Sequence, residues 1–481
     1  MKLEGGQAMR FDEYRKQDAT ALARLIAKGE LSAKAVLEVA IARAEQVNPA
    51  INAIVHRQYA QAQRAVAAGL PKGPLTGVPY LVKDLGFFET GEPATYGSRI
   101  YAGFVADHDS AYVRRSKQAG LVFMGRSSSP EFGLSPNTEP RLYGACKNPW
   151  NLAHSAGGSS GGAAAAVSAG ILPMAHATDG GGSIRIPAAQ CGLFGLKPSR
   201  GRVSLAPDAG EGWGGMSVGH VLSRSVRDCA LMLDCTAGYE AGDPYTAPSP
   251  AGAFVEAIDR PPRRLKIALM RKDHRGVKPH AECLRAIDGA AKLCQSLGHV
   301  VEEADPAVDL VALRQQTSTI AAANTARALG LRWKALQRQP NPDDVEAATW
   351  AVYRRGAKVT GVEYVEAIAA IHTAGRKMAA FLTNFDVILS TVVAAPPPRL
   401  GHFDMNGDVA TFTERVTEYL GVTPVHNATG TPAMSVPLHW TGDGLPVGVH
   451  FAGRYGEEGT LLQLAAQLET AQPWFDRVPA L

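Results

Sequence analysis

The sequence predicts an α/β protein, a large, mixed, twisted β-sheet covered by helices on both faces. Three observations carry that reading. Short apolar runs of strand character, at 78–82 (VPYLV), 121–124 (LVFM), 267–270 (IALM) and 387–392 (VILSTV), alternate with stretches of helical period. Such alternation is the pattern of strands threading between covering helices. The composition, 46% apolar and 20% charged over 481 residues, suits a globular chain with a sizeable core.

The opening is helical. Leu22, Leu25 and Ile26 follow the 3.6-residue period, Gly29 can end that helix, and Ser32 can cap the next. The second helix carries Val36, Leu37, Val39, Ala40 and Ala44 and is expected to stop at Asn48-Pro49. Residues 238–262 are rich in turn formers and separate the first half from a more variable part. Residues 310–382 read as mostly helical, and AAPPPRLG at 394–401 as a rigid connection. No internal repeat is visible. We therefore read residues 1–481 as a single domain with a variable helical region at about 310–382 that shapes its pocket.

Charge and cysteine usage narrow the class. A formal charge of +4 with no basic run points to neither nucleic acid nor anionic lipid as partner. The start, MKLEGGQAMRFDEY, has acidic residues where a signal peptide needs an apolar core. The least polar stretch, 161–177, is mostly alanine and glycine and reads as a close-packed interior segment, not a membrane span. The six cysteines show no C-x-x-C pair and no metal-ligand spacing, as expected of reduced, mostly buried thiols in a cytoplasmic protein. There is no H-E-x-x-H and no Walker A loop, so no metal or cofactor is expected.

Two serines lie in two separate glycine clusters, Gly157-Gly158-Ser159-Ser160-Gly161-Gly162 and Asp179-Gly180-Gly181-Gly182-Ser183-Ile184-Arg185. Glycine lets backbone N–H groups converge on a small anion, which is what an oxyanion hole requires. Ser183 follows three glycines and precedes a helix start, where free N–H groups gather. Alone, such a segment is better read as a flexible glycine turn with a capping serine. Upstream, GVPYLVKD reads as a buried strand ending in Lys83. A lysine there more often extends its head to water. To act as a base near neutrality its value of about 10.4 must fall by about three, equivalent to about 4 kcal/mol.

Together GVPYLVKD, NPWNLAHSAGGSSGGAAAAVSAG and TDGGGSIRIPAAQCGLFGLKPSRGRVS resemble the amidase signature family. The likeness extends to LARLIAKGELSAKAVLEVAIARAEQVNPAINAIV near the start and to NATGTPAMSVPLHWTGDGLPVGVHFAGRYGEEGTLLQLAAQLE near the end, so it covers nearly the whole chain. The resemblance implies the amidase signature fold and amide hydrolysis by a Ser–Ser–Lys triad. Carried onto this sequence, Ser183 is the nucleophile and Lys83 the general base. Ser159, on a cis peptide bond, relays the proton between them. The backbone N–H groups of Gly180, Gly181, Gly182 and Ser183 form the oxyanion hole. Ser160, Asp179 and Arg185 support the loops, and Gly133 lines the acyl pocket. The chain departs from the commoner pattern at Gly180, where threonine or isoleucine is frequent, and at Ser128, where asparagine is frequent.

Rival signals are weaker. Ser159 and Ser160 both fit the G-x-S-x-G elbow, but NPWNLAHSA before them reads as loop where an elbow needs a strand. His176, seven residues before Ser183, is better read as a satisfied core histidine. The G-x-G-x-x-G match at Gly210, Gly212 and Gly215 lacks a βαβ unit and reads as a flexible loop carrying Trp213.

The wording is most similar to the branch of the family acting on 6-aminohexanoate cyclic dimers and related amides. The expected substrate is a small apolar, aryl or cyclic amide, with Phe132, Leu134, Trp213 and Met216 offering apolar contacts. A carbamate hydrolase with the same triad, the glutaminase subunit of a tRNA-dependent amidotransferase and an inactive binding scaffold are the alternatives. A homodimer is left open.

Overall fold

The computed structural model describes residues 9–272, 276 and 278–481; the first eight residues of the N-terminal stretch read above lie outside it. A three-stranded sheet is formed by β1 (Ile54–Arg57), β2 (Pro79–Lys83) and β3 (Val122–Ser127), in the order β1-β3-β2. A small hairpin pairs β4 (Lys147–Asn148) with β5 (Asn151–Ser155). The main sheet contains β6 (Met174–Asp179), β7 (Phe194–Lys197), β8 (Val218–Ser223), β9 (Lys266–Leu269), β10 (Val300–Glu303), β11 (Val387–Thr391), β12 (Ala433–Trp440) and β13 (Pro446–Gly453). Its spatial order is β10-β9-β11-β13-β12-β7-β8-β6. The β10-β9-β11 end is parallel and every other pairing is antiparallel. All four runs of strand character fall on strands.

Consecutive residues of β6, β8, β11 and β13 are all buried. Successive side chains of a strand point to opposite faces, so both faces of the sheet are covered. The covering helices include Gly161–Ser168, Arg185–Cys191, Val226–Thr236, Ala281–Ser296 and Glu458–Ala471. β2 lies beside the edge strand β6, which joins the small sheet to the large one.

The opening helices form at Ala19–Ala27 and Ala33–Ile51, and the Ser32 hydroxyl accepts the N–H of Ala35 at 3.1 Å. The second helix overruns its expected stop. It continues past Pro49 to Ile51 and ends at Asn52 in the left-handed region. Asn48 Oδ1 takes the N–H groups of Ala53 and Ile54 at 2.8 Å each, ordering the chain just beyond the helix. A proline in the last turn removes a single bond at a helix that is already ending. A second correction concerns NPWNLAHSA, which is the β4–β5 hairpin rather than loop. That hairpin stands apart from the main sheet, unlike the strand of an elbow. The region at 310–382 is helical at Leu310–Ala335, Ala347–Gly356 and Gly361–Phe381. Trp333, Trp350 and Tyr353 pack edge to face or stacked between its first two helices.

Candidate active site

Lys83 ends β2 with its side chain fully buried. Its side-chain nitrogen hydrogen-bonds Ser159 Oγ at 2.7 Å and Thr178 Oγ1 at 2.8 Å. Burial holds its pKa well below the usual lysine value, because an ammonium without water is disfavoured. The nearby Asp179 carboxylate partly opposes that fall. The Lys83 backbone is held too, since its N–H donates to His176 Nδ1 at 3.2 Å. Accepting that bond requires an unprotonated Nδ1. Burial, and secondarily Lys83, push the His176 pKa well below its usual value. His176 is therefore a neutral core histidine, packed against Phe87 and Tyr112, whose Nε2 has no hydrogen-bond partner among the described residues.

Ser159 follows a cis Gly158–Ser159 peptide and is 2% exposed. Gly133 closes over it. Its φ is +68°, and a Cβ added there would lie 3.1 Å from Ser159 Oγ and 2.9 Å from Leu85 Cδ2. Neither the conformation nor the space suits another residue. Ser160, at the start of helix Gly161–Ser168, donates to the Thr178 carbonyl at 3.2 Å and accepts the Thr178 N–H at 3.3 Å. The first glycine cluster is thereby fastened to β6, the strand that leads into the second.

Asp179, the last residue of β6, organises the second cluster. Its carboxylate accepts the N–H groups of Gly182 (2.7 Å) and Ile184 (3.1 Å) and pairs with Arg185 at 2.9 Å through both oxygens. Burial alone would raise its pKa, but Arg185, together with Lys197 and Asn427, outweighs burial and the net value is depressed. Arg185 also donates to the Thr423 carbonyl and Asn427 Oδ1. Thr423 Oγ1 donates to the Gly181 carbonyl at 2.9 Å, and Asn427 Nδ2 to Asp179 at 2.9–3.0 Å. This geometry corrects one expectation. The Gly182 N–H faces Asp179 and not an anion in the pocket. The N–H groups of Gly180, Gly181 and Ser183 give no hydrogen bond to another described residue. Ser183, partly exposed, sits just ahead of helix Arg185–Cys191. Its hydroxyl makes no hydrogen bond among the described residues, to Ser159 or otherwise.

Of the four apolar residues expected to line the pocket, Phe132 (7% exposed) and Met216 (2% exposed) are buried within side-chain clusters. Leu134 and Trp213 retain exposed surface. Sequence reasoning did not single out Thr178, Thr423 or Asn427. Thr178 had a signal, its place one residue before Asp179 in a glycine-rich segment. Thr423 and Asn427 had none, since they reach the loop from more than 230 positions away. Among the described residues no group of three or more His, Cys, Asp or Glu side chains gathers as a metal site, and no helix is long and apolar enough to cross a membrane.

The arrangement is one of a buried low-pKa lysine beside a serine, next to a glycine loop in which the N–H groups of Gly180, Gly181 and Ser183 have no partner among the described residues. A family profile described as Amidase matches residues 35–462. The chain is 37% identical, over 97% of both proteins, to a 6-aminohexanoate-cyclic-dimer hydrolase of Paenarthrobacter ureafaciens. The structure of a 6-aminohexanoate cyclic dimer hydrolase complexed with substrate superposes with a TM-score of 0.92 at 36% identity, covering 97% of this chain and 99% of that one. A bacterial aryl acylamidase of the amidase signature family superposes at 0.87 with 28% identity, covering 96% and 98%. With sequence, fold and family profile in agreement over nearly its full length, the chain belongs to the amidase signature family and is a hydrolase of carbon–nitrogen bonds.

Proposed function

We propose that this enzyme hydrolyses small apolar, aryl or cyclic amides through an acyl-enzyme on Ser183, with Ser159 and Lys83 as its proton relay. The observation that carries the reading is the 2.7 Å contact between Lys83 Nζ and Ser159 Oγ in a fully buried setting. A neutral amine there can take the Ser159 proton while Ser159 takes that of Ser183. The Ser183 oxygen then attacks the amide carbon, and the carbonyl oxygen gains negative charge. The N–H groups of Gly180, Gly181 and Ser183 are the donors for that charge, each worth about 3–4 kcal/mol in the transition state. The relay runs in reverse to protonate the leaving amine. Water enters by the same relay, breaks the ester and releases the acid and free Ser183.

Gly133 lines the acyl side of the pocket in this reading, and Ser160, Asp179 and Arg185 hold the two glycine loops without exchanging protons. The residues act together as one domain, the 310–382 helices backing the pocket wall. The free, mostly buried thiols support a cytoplasmic setting.

The relatives named above act on a cyclic amide and on aryl amides, which supports the substrate class. The test compares kcat/KM for an aryl anilide, a cyclic amide, an aryl carbamate and glutamine with the purified chain. The anilide or cyclic amide should be turned over fastest. A dominant carbamate activity would replace amide by urethane as the substrate, and a dominant glutamine activity would overturn the apolar reading.

A further inference from the structure

Gly180 and Trp213 fit together by size. A Cβ built on Gly180 would lie 3.1 Å from Trp213 Cε3 and 3.2 Å from Cζ3, so the indole occupies the space a side chain at 180 would need. Gly180 is the first residue of the proposed oxyanion loop. The indole is held in place, not loosely draped. The 212–217 segment folds back on itself through the Ser217 N–H to the Gly212 carbonyl, at 2.9 Å. Arg200 Nε binds the Gly215 carbonyl at 2.7 Å, and Asn427 Nδ2 binds the Met216 carbonyl at 3.0 Å. Asn427 is the same side chain that holds Asp179, so one residue fixes both the indole loop and the nucleophile loop. Ile320 and Ile368, from the 310–382 helices, close on Gly214 from behind. Trp213 itself has φ +52°, unusual for a bulky residue and sustained by these surrounding contacts. Trp213 is partly exposed, as are its neighbour Gly180 and the following Gly181 and Ser183.

We infer that Trp213 is a specificity-determining residue, its indole face forming the wall against which a flat aryl group of an amide substrate stacks beside Ser183. The inference deepens the amidase reading above and rests on it. A rigid aromatic wall rewards planar groups by offset stacking and loses little entropy on binding. Glycine at 180 is what leaves room for it.

Binding and turnover separate the two ideas. Acetanilide affinity is measured by titration calorimetry on Ser183→Ala and on the same chain carrying Trp213→Ala or Trp213→Phe. Trp213→Ala should weaken binding by about tenfold or more, and Trp213→Phe should restore part of it. In the active chain, Trp213→Ala should raise KM for the anilide far more than it lowers kcat. Gly180→Thr should reduce anilide kcat/KM sharply when Trp213 is present and much less in Trp213→Ala, because the added side chain collides with the indole. Unchanged acetanilide affinity in Trp213→Ala, or additive effects of the two substitutions, would overturn the inference. Normal acetanilide binding without turnover by the unmodified chain would sink the amidase substrate reading and leave the wall standing.

Discussion

Lys83 Nζ lies 2.7 Å from Ser159 Oγ although the two residues are 76 positions apart in the chain. The contact exists because β2 is laid beside β6 and because Ser160 fastens the first glycine cluster to the same strand. Removing the lysine should therefore remove the proton path without undoing the loops. Lys83→Ala, Ser159→Ala and Ser183→Ala should each lower kcat by several orders of magnitude, and pairs of these substitutions should cost little more than one. Additive losses would show that the three do not act as a unit.

Thr178 is the second partner of the lysine, at 2.8 Å. Thr178→Val keeps the shape and deletes that hydrogen bond. A loss of about 10- to 100-fold in kcat is expected, the equivalent of about 1.4–2.7 kcal/mol. Steady-state kinetics unchanged within twofold would remove Thr178 from the account.

The pH profile follows from the direction of the Lys83 shift. Burial lowers its pKa, so the neutral, basic form persists to lower pH than for an exposed lysine. In the proposed relay a protonated Lys83 cannot take the Ser159 proton, so kcat/KM should rise with pH through one ionisation and stay high in mildly alkaline solution. His176 is held neutral, so it should not set that limb. A limb near pH 6 that vanishes in His176→Ala would contradict this.

Asp179 bears on stability as well as geometry. Asp179→Asn leaves Arg185 buried without its counter-charge and, with one oxygen in place of two, leaves either the Gly182 or the Ile184 N–H without an acceptor. A destabilisation of about 3–5 kcal/mol is expected in urea unfolding. Its folded-state pKa is depressed, so the stabilisation is fully present above the ordinary carboxylate value and is lost as pH falls through the folded value. The variant should therefore lose less stability than the parent on acidification below pH 4. A variant as stable as the parent at neutral pH would exclude the pair as the clamp of the loop.

Gly133→Ala tests the close approach over Ser159. The added carbon meets Ser159 Oγ at 3.1 Å, and φ is +68°. The left-handed conformation alone should cost about 1–3 kcal/mol of stability. kcat should fall more than KM changes, since the displaced group is Ser159. A change confined to KM would make Gly133 a substrate contact only.

How much of this the sequence discloses depends on the range of each interaction. The strands, the first helices and the Ser32 cap were legible because their causes are local: period, turn formers and a capping hydroxyl. The helix through Pro49 was not, since a missing bond in a last turn is cheap where Asn48 binds the chain beyond it. Lys83, Ser159 and Ser183 stand out through motif spacing. Gly182 was misjudged because which way a glycine N–H points depends on Asp179, whose side chain could as easily have turned elsewhere. Thr423 and Asn427 are invisible in one dimension, for they act on the loop across most of the fold. Phe132 and Met216 show the usual ambiguity of apolar residues in loops, here settled in favour of the core.

The central claim is an acyl-enzyme on Ser183, and the most direct measurement is the site of covalent labelling. The chain is treated with a fluorophosphonate, digested and mapped by mass spectrometry. A single adduct on Ser183, absent from Ser183→Ala and slowed severely in Lys83→Ala, is the predicted result. An adduct on Ser159 or Ser160, or full hydrolytic activity in Ser183→Ala, would contradict it.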